Sequence, residues 1–172
     1  MRRGYVQVYT GEGKGKTTAA LGLALRAAGA GLKVLIAQFV KKNRCSEHRA
    51  LERFCDLVTV VRFGTGFLKG DRRTQAELKA AARGLEQAES LMASGEYDVV
   101  ILDEINIAVH AGLVSPDALL RLMDERPPRV ELVLTGRYAD KRIIKRADLV
   151  TDMREVKHYM NSGVPARRGI EM

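Results

Sequence analysis

The residues whose chemistry is plainest lie in TGEGKGKTTAA, Thr10 to Ala20. A Gly-rich turn ending in Gly15-Lys16-Thr17 has the form of a phosphate loop, GxxxxGK[ST]. Gly11 and Gly13 supply extra freedom, so the chain can turn tightly with backbone N–H groups pointing inward. A helix starting near Lys16 aims its positive end into the same hollow. Lys16 would charge-pair with terminal phosphate oxygens, and the Thr17 hydroxyl could hold a magnesium ion. The pattern's first glycine is replaced by Thr10.

Further along, VVIL is followed by Asp103 and Glu104. Four apolar strand residues ending in two carboxylates resemble the second half of a nucleotide site. In parallel sheets, ligands sit at the carboxyl ends of the strands. Both carboxylates are therefore expected near the magnesium. Such a site stabilises charge on phosphate oxygens. That serves phosphoryl transfer, hydrolysis, or a reaction in which the whole triphosphate leaves, and these residues do not separate the three.

The elements that must position these groups alternate along the chain. Strands are expected at Tyr5–Tyr9, Lys33–Phe39, Leu57–Phe63, Asp98–Leu102, Val130–Leu134 and Leu149–Met153. Helices are expected at Lys16–Ala28, Gln75–Ser94, Asp140–Arg146, and from Ser115-Pro116 to Asp124 with Ser115 as the cap. The apolar strands lack clean alternation, which suits a sheet covered on both faces. The fold class that follows is α/β: three layers around a mainly parallel sheet of about six strands, of the P-loop NTPase type. One domain over 1–172 is expected, with 155–172 as a tail over it.

The 172 residues carry a net charge of +8. The basic residues are scattered and tryptophan is absent, which argues against a nucleic-acid surface. No apolar run approaches the roughly 18 residues of a membrane span, and no secretory signal is legible, so the expected location is cytoplasmic. Cys45 and Cys55 form no CxxC pair, and with His48 they match no standard zinc spacing.

Several further segments, taken with the loop, resemble the P-loop ATP:cob(I)alamin (corrinoid) adenosyltransferases. They are VYTGEGKGKTTAALG (Val8–Gly22), RAAGAG (Arg26–Gly31), QF (Gln38-Phe39) and SEHRALE (Ser46–Glu52). GTGF (Gly64–Phe67), VVILDEIN (Val99–Asn106), LTGR (Leu134–Arg137) and VKHYMNSGVPARRGIE (Val156–Glu171) complete the set. The family's loop has the same Thr-Gly-x-Gly-Lys-Gly-Lys-Thr-Thr form, which accounts for Thr10.

The resemblance implies transfer of the 5′-deoxyadenosyl group of ATP to the cobalt of a reduced corrinoid, with triphosphate released. It implies that ATP lies reversed in the loop, leaving C5′ open to the corrinoid. Gly11, Glu12, Gly13, Lys14, Gly15, Lys16, Thr17 and Thr18 would bind the nucleotide, with Arg26 and Arg137 nearby. Thr17, Glu104 and Asp103 would face the magnesium, and Lys16, Thr17, Glu104 and Phe67 would serve the reaction. Phe67 would pack on the lower face of the corrinoid and ease reduction of the cobalt. The resemblance also implies cobalamin or a precursor as substrate, reduced flavin or a flavodoxin-type protein as electron donor, and a homodimer.

Two departures bear on the corrinoid end. Lys69 stands where a relative carries Trp, and a lysine stem stacks less well. The chain also begins near its first strand, whereas some members cover the corrinoid with an N-terminal helical extension. His158, in VKH, is expected to organise the tail, and His110 to be structural. A RecA-like ATPase acting on nucleic acid, a small-molecule kinase and a nucleotide or corrinoid sensor remain as alternatives.

Overall fold

The computed structural model describes residues 3–40, 45–64, 66 and 73–171. Its strands are β1 (Val6–Thr10), β2 (Val34–Gln38), β3 (Val58–Arg62), β4 (Val99–Asp103), β5 (Glu131–Thr135) and β6 (Leu149–Asp152). They form one six-stranded sheet in the order β3-β2-β4-β5-β1-β6. Every pairing is parallel. The helices are α1 (Lys16–Gly29), α2 (Ser46–Leu51), α3 (Gln75–Ala93), α4 (Ile105–His110), α5 (Pro116–Glu125) and α6 (Lys141–Arg146).

Residues alternate between the two faces of the sheet, and each set joins its own core. Val34, Ile36, Val99, Ile101 and Val133 pack with Ala20, Ala24, Ala27 and Ala28 of α1 and Leu51 of α2. Leu35, Ala37, Val100, Leu102, Leu132 and Leu134 pack with α3, α4, α5 and Ile143 of α6. This is the three-layer arrangement expected from unbroken apolar strands. The alanines of α1 bring its backbone close to the sheet, so the loop at its start sits over the strand ends. Truncating one of the fully buried leucines, such as Leu132 or Leu134, would cost about 2–5 kcal/mol.

Local signals hold the long helices. Thr74 caps α3 by accepting from Glu77 N at 3.2 Å, while Glu77 Oε2 accepts from Thr74 N at 2.7 Å. Ser115 accepts from Ala118 N at 3.1 Å, with Pro116 opening α5. Sequence reasoning did not find α2 and α4. Six residues give too little periodicity, and such short helices exist through tertiary packing. β4 also runs one residue further than expected, because Asp103 stays in register with Gln38 of β2.

Candidate functional site

β1 ends at Thr10, and the loop to α1 turns through left-handed glycines, with φ of 94° at Gly11 and 120° at Gly15. Gly15 precedes α1, so Lys16, Thr17 and Thr18 present the first helical N–H groups, the anion-binding end of a helix. The Lys16 ammonium is buried inside the loop and donates to the carbonyls of Gly11 and Gly13, each at 2.6 Å. Burial lowers its pKa from the ordinary lysine value, and the charge of Arg137 adds to this. Glu104, Glu12 and Asp152 pull the other way. A desolvated ammonium of this kind gains from an approaching anion.

β5 lies between β1 and β4, and the residue at its end closes the gap. Thr135 donates to Asp103 Oδ1 at 2.7 Å and accepts from the Glu104 N–H at 3.0 Å. Thr17 also donates to Asp103 Oδ1, at 2.8 Å. On the opposite flank, Gln38 Nε2 donates to Asp103 Oδ2 at 3.0 Å. Gln38, Asp103 and Thr135 share the strand parity of the α1 face, so three neighbouring strands each end in a buried polar side chain on that face. Glu104 follows in the left-handed region, with φ of 62°, and turns the chain at once into α4. Such a conformation costs a non-glycine residue of order 1–3 kcal/mol and clusters at functional sites.

The opposite wall comes from the C-terminal tail. After β6 the chain passes directly over the phosphate loop, and Gly13 N donates to Met153 O at 2.6 Å. A Cβ on Gly13 would lie 2.7 Å from the carbonyl oxygens of Met153 and Arg154. Gly13 therefore serves close approach, and its N–H faces the tail rather than the hollow. Beyond a 3-10 turn at Tyr159–Ser162, the tail returns to the loop. Lys14 Nζ lies 3.0 Å from both Tyr159 OH and Glu171 Oε1, and Arg167 Nη2 meets Glu171 Oε1 at 3.2 Å. Tyr159 OH donates to the same carboxylate. Arg167 above all, then Tyr159, holds the Glu171 carboxyl well below the usual carboxylate range.

Between the walls lies an open hollow of about 670 Å³. Gly13, Lys14, Gly15, Lys16, Thr17, Thr18, Glu104 and Arg137 line it, as do Ser46, Glu47 and Ala50 around α2, and His158, Met160 and Glu171 of the tail. The structure thus gathers most of the expected site residues. Asp103 sits behind Thr17, and Glu12 pairs with Arg137 at 3.2 Å. Arg26 is exposed on α1 and does not line the hollow. Phe67 and Lys69 lie outside the described residues. His158 Nδ1 accepts from Met160 N at 3.1 Å, within the tail. His110 stacks near Tyr138, ring centroids 4.4 Å apart.

Sequence reasoning missed Thr135, Gln38, His48, Tyr159 and Glu171 as parts of the site. All five stand in segments quoted for the family resemblance without a role, and Gln38 and Thr135 are lone polar residues ending apolar strands.

Thr17 at the start of α1, and Asp103 and Glu104 at the end of β4, carry hard oxygen donors of the kind magnesium takes. Among the described residues no group of three or more His, Cys, Asp or Glu encloses a common point. No helix among the described residues is long and apolar enough to cross a membrane.

A sequence model of the family "ATP:corrinoid adenosyltransferase BtuR/CobO/CobP" matches residues 2–172. A corrinoid adenosyltransferase of Pseudomonas aeruginosa is 36% identical, over 98% of this chain and 84% of that protein. One of Escherichia coli K12 is 34% identical, over 98% of this chain and 86% of its own length. The corrinoid adenosyltransferase CobA of Salmonella typhimurium is 33% identical over the same shares, 98% and 86%. With a phosphate loop, paired carboxylates after β4 and a tail lining the hollow, this chain belongs to the ATP:corrinoid adenosyltransferase family.

Proposed function

We propose that the protein transfers the 5′-deoxyadenosyl group of ATP to the cobalt of a reduced corrinoid and releases triphosphate. The observation that carries this is the hollow itself. It has a buried ammonium and a helix N-terminus at one end and is open to solvent on one side.

The corrinoid cobalt, as Co(I), is the nucleophile. A Co–C5′ bond forms, the C5′–O bond breaks with its electron pair going to the triphosphate, and cobalt becomes formally Co(III). No side chain has to accept a proton. The protein's task is to hold the triphosphate and stabilise the charge it gains as it leaves. Residues Gly11 to Thr18 cradle it, and Lys16 exchanges its two loop carbonyls for phosphate oxygens. Arg137, at the mouth, supplies a second cation that Glu12 orients. Thr17, with Asp103 and Glu104, would hold a magnesium ion, which when bound offsets phosphate charge. The tail from residue 155 onward covers the nucleotide as part of a single domain, and Phe67 is assigned to the corrinoid on the family resemblance. The natural setting is cytoplasmic, as a homodimer, with reduced flavin or a flavodoxin-type protein supplying electrons and cobalamin or a precursor as acceptor.

The test is anaerobic incubation with ATP, magnesium and chemically reduced cob(I)alamin, following the alkylated corrinoid spectrally and the phosphate by-product chromatographically. Adenosylcobalamin with triphosphate in equal amounts is expected. Orthophosphate or ADP without alkylated corrinoid would mark an ATPase or kinase and overturn the proposal.

A further inference from the structure

The hydrogen bonds at the end of β4 do not stop at Gln38. Gln38 Oε1 lies 2.6 Å from His48 Nε2, and His48 Nδ1 accepts from the Cys45 backbone N–H at 2.8 Å. A backbone N–H can only donate, so Nδ1 carries a lone pair and the ring proton sits on Nε2. Nε2–H then donates to the Gln38 oxygen, which turns the Gln38 amide NH₂ toward Asp103. Each group has one orientation that satisfies the chain. Gln38 is 1% exposed, Asp103 1% and His48 6%, so water does not compete for these bonds.

The chain joins two parts of the hollow. Asp103 holds Thr17 at the phosphate end. His48 belongs to α2, whose Ser46, Glu47 and Ala50 also line the hollow. One imidazole thus secures the start of α2 with one nitrogen and sets a strand-end carboxylate with the other.

We propose that His48 is a positioning residue for the phosphate-and-metal end of the site, acting through Gln38 on Asp103 and tying Asp103 to the placement of α2. Outer partners of this kind are worth about 10–100-fold in metal affinity or activity. The kinetic consequence rests on the adenosyl transfer proposed above, but binding of ATP with Mn²⁺ does not.

Two substitutions separate the roles of the two nitrogens. His48→Asn keeps an acceptor near Nδ1 for the Cys45 N–H but cannot reach Gln38. His48→Gln extends an amide to the Nε2 position and restores the donor to Gln38, while giving up the bond to Cys45. Mn²⁺ binding in the presence of ATP, read by electron paramagnetic resonance, should weaken about 10-fold in the Asn variant and stay near wild type in the Gln variant. The melting temperature should fall more in the Gln variant. Equal Mn²⁺ binding in wild type and the Asn variant would overturn the proposal, as would equal losses in both variants. A measurement on the unaltered protein guards against misfolding: long-range ¹H–¹⁵N spectra should show the His48 proton fixed on Nε2. A proton on Nδ1, or an averaged ring, would sink the relay. Wild-type protein that binds ATP and Mn²⁺ in this pattern yet makes no adenosylcorrinoid would refute the function and leave the relay standing.

Discussion

On one side of the hollow, Thr17, Thr135, Asp103, Gln38 and His48 are joined by hydrogen bonds among largely buried atoms on strand ends and α2. On the other, Lys14, Tyr159, Arg167 and Glu171 meet in contact with solvent. The hydrogen bonds described in the first wall run from neutral donors to a carboxylate. The second uses long charged side chains that water and salt can replace. Buried polar networks fix geometry because leaving any member unsatisfied is costly. Exposed ion pairs hold weakly and are screened. A site built this way keeps its phosphate end rigid and lets its cover open for substrates as large as a corrinoid.

The contrast can be broken hardest at the loop between the walls. Lys16→Ala should reduce adenosyl transfer by about 10²–10³-fold or more, as loss of a transition-state donor does, with the fold intact by circular dichroism. Unchanged turnover would remove the cradle from the mechanism. Gly13→Ala should come next. Its Cβ collides with backbone at 2.7 Å, so the tail must lift, raising the ATP concentration for half-saturation and opening residues 154–171 to protease. Tail cleavage no faster than in wild type would show that the cover does not depend on this approach.

Thr135→Val tests the rigid wall. It orphans the Glu104 N–H and removes a donor from Asp103, so denaturant unfolding should show a loss of about 1–3 kcal/mol, insensitive to salt. Glu171→Gln tests the other wall. Its melting temperature should barely move, while its half-saturating ATP should rise modestly, and added salt should erase the difference from wild type. A large, salt-independent effect would make the two walls alike.

The smallest effect expected is on pH. Glu171 is held below its ordinary value of 4.5, so its contribution is complete above that value and fades only as pH falls below it. Lys14 is raised above 10.5 by Tyr159 and Glu171, so its contribution is complete below 10.5 and is lost as pH rises through the raised value. The tail contact should therefore be flat across neutral pH. Lys16, lowered from 10.5 by burial, loses its proton earlier on the alkaline side, and half-saturating ATP should climb there before an ordinary lysine would titrate.

Much of this is legible in the sequence. Glycines and lysines at set spacing spell out a phosphate loop because few other chain paths turn backbone N–H groups onto an anion. Apolar strands ending in carboxylates locate the other half. Thr135 and His48 were not legible in the same way. Their roles follow from β5 lying between β1 and β4, and from α2 folding back over β2. Strand order is a long-range property that local residue patterns do not encode. The tail had no periodicity because ion pairs with the loop, rather than a repeating apolar face, hold it.

The position of β1 has a consequence for how the molecule is made. β1 is made before the other strands of this sheet, yet among the described residues its sheet neighbours are β5 and β6, the last two of the six. The Gly13 N–H likewise waits for Met153. Closing so long a segment is slow, and an unpaired early strand is exposed to misassociation in the meantime. The phosphate loop can therefore be completed only after β5, β6 and Met153 have been made, and nucleotide capture reports that synthesis has passed them.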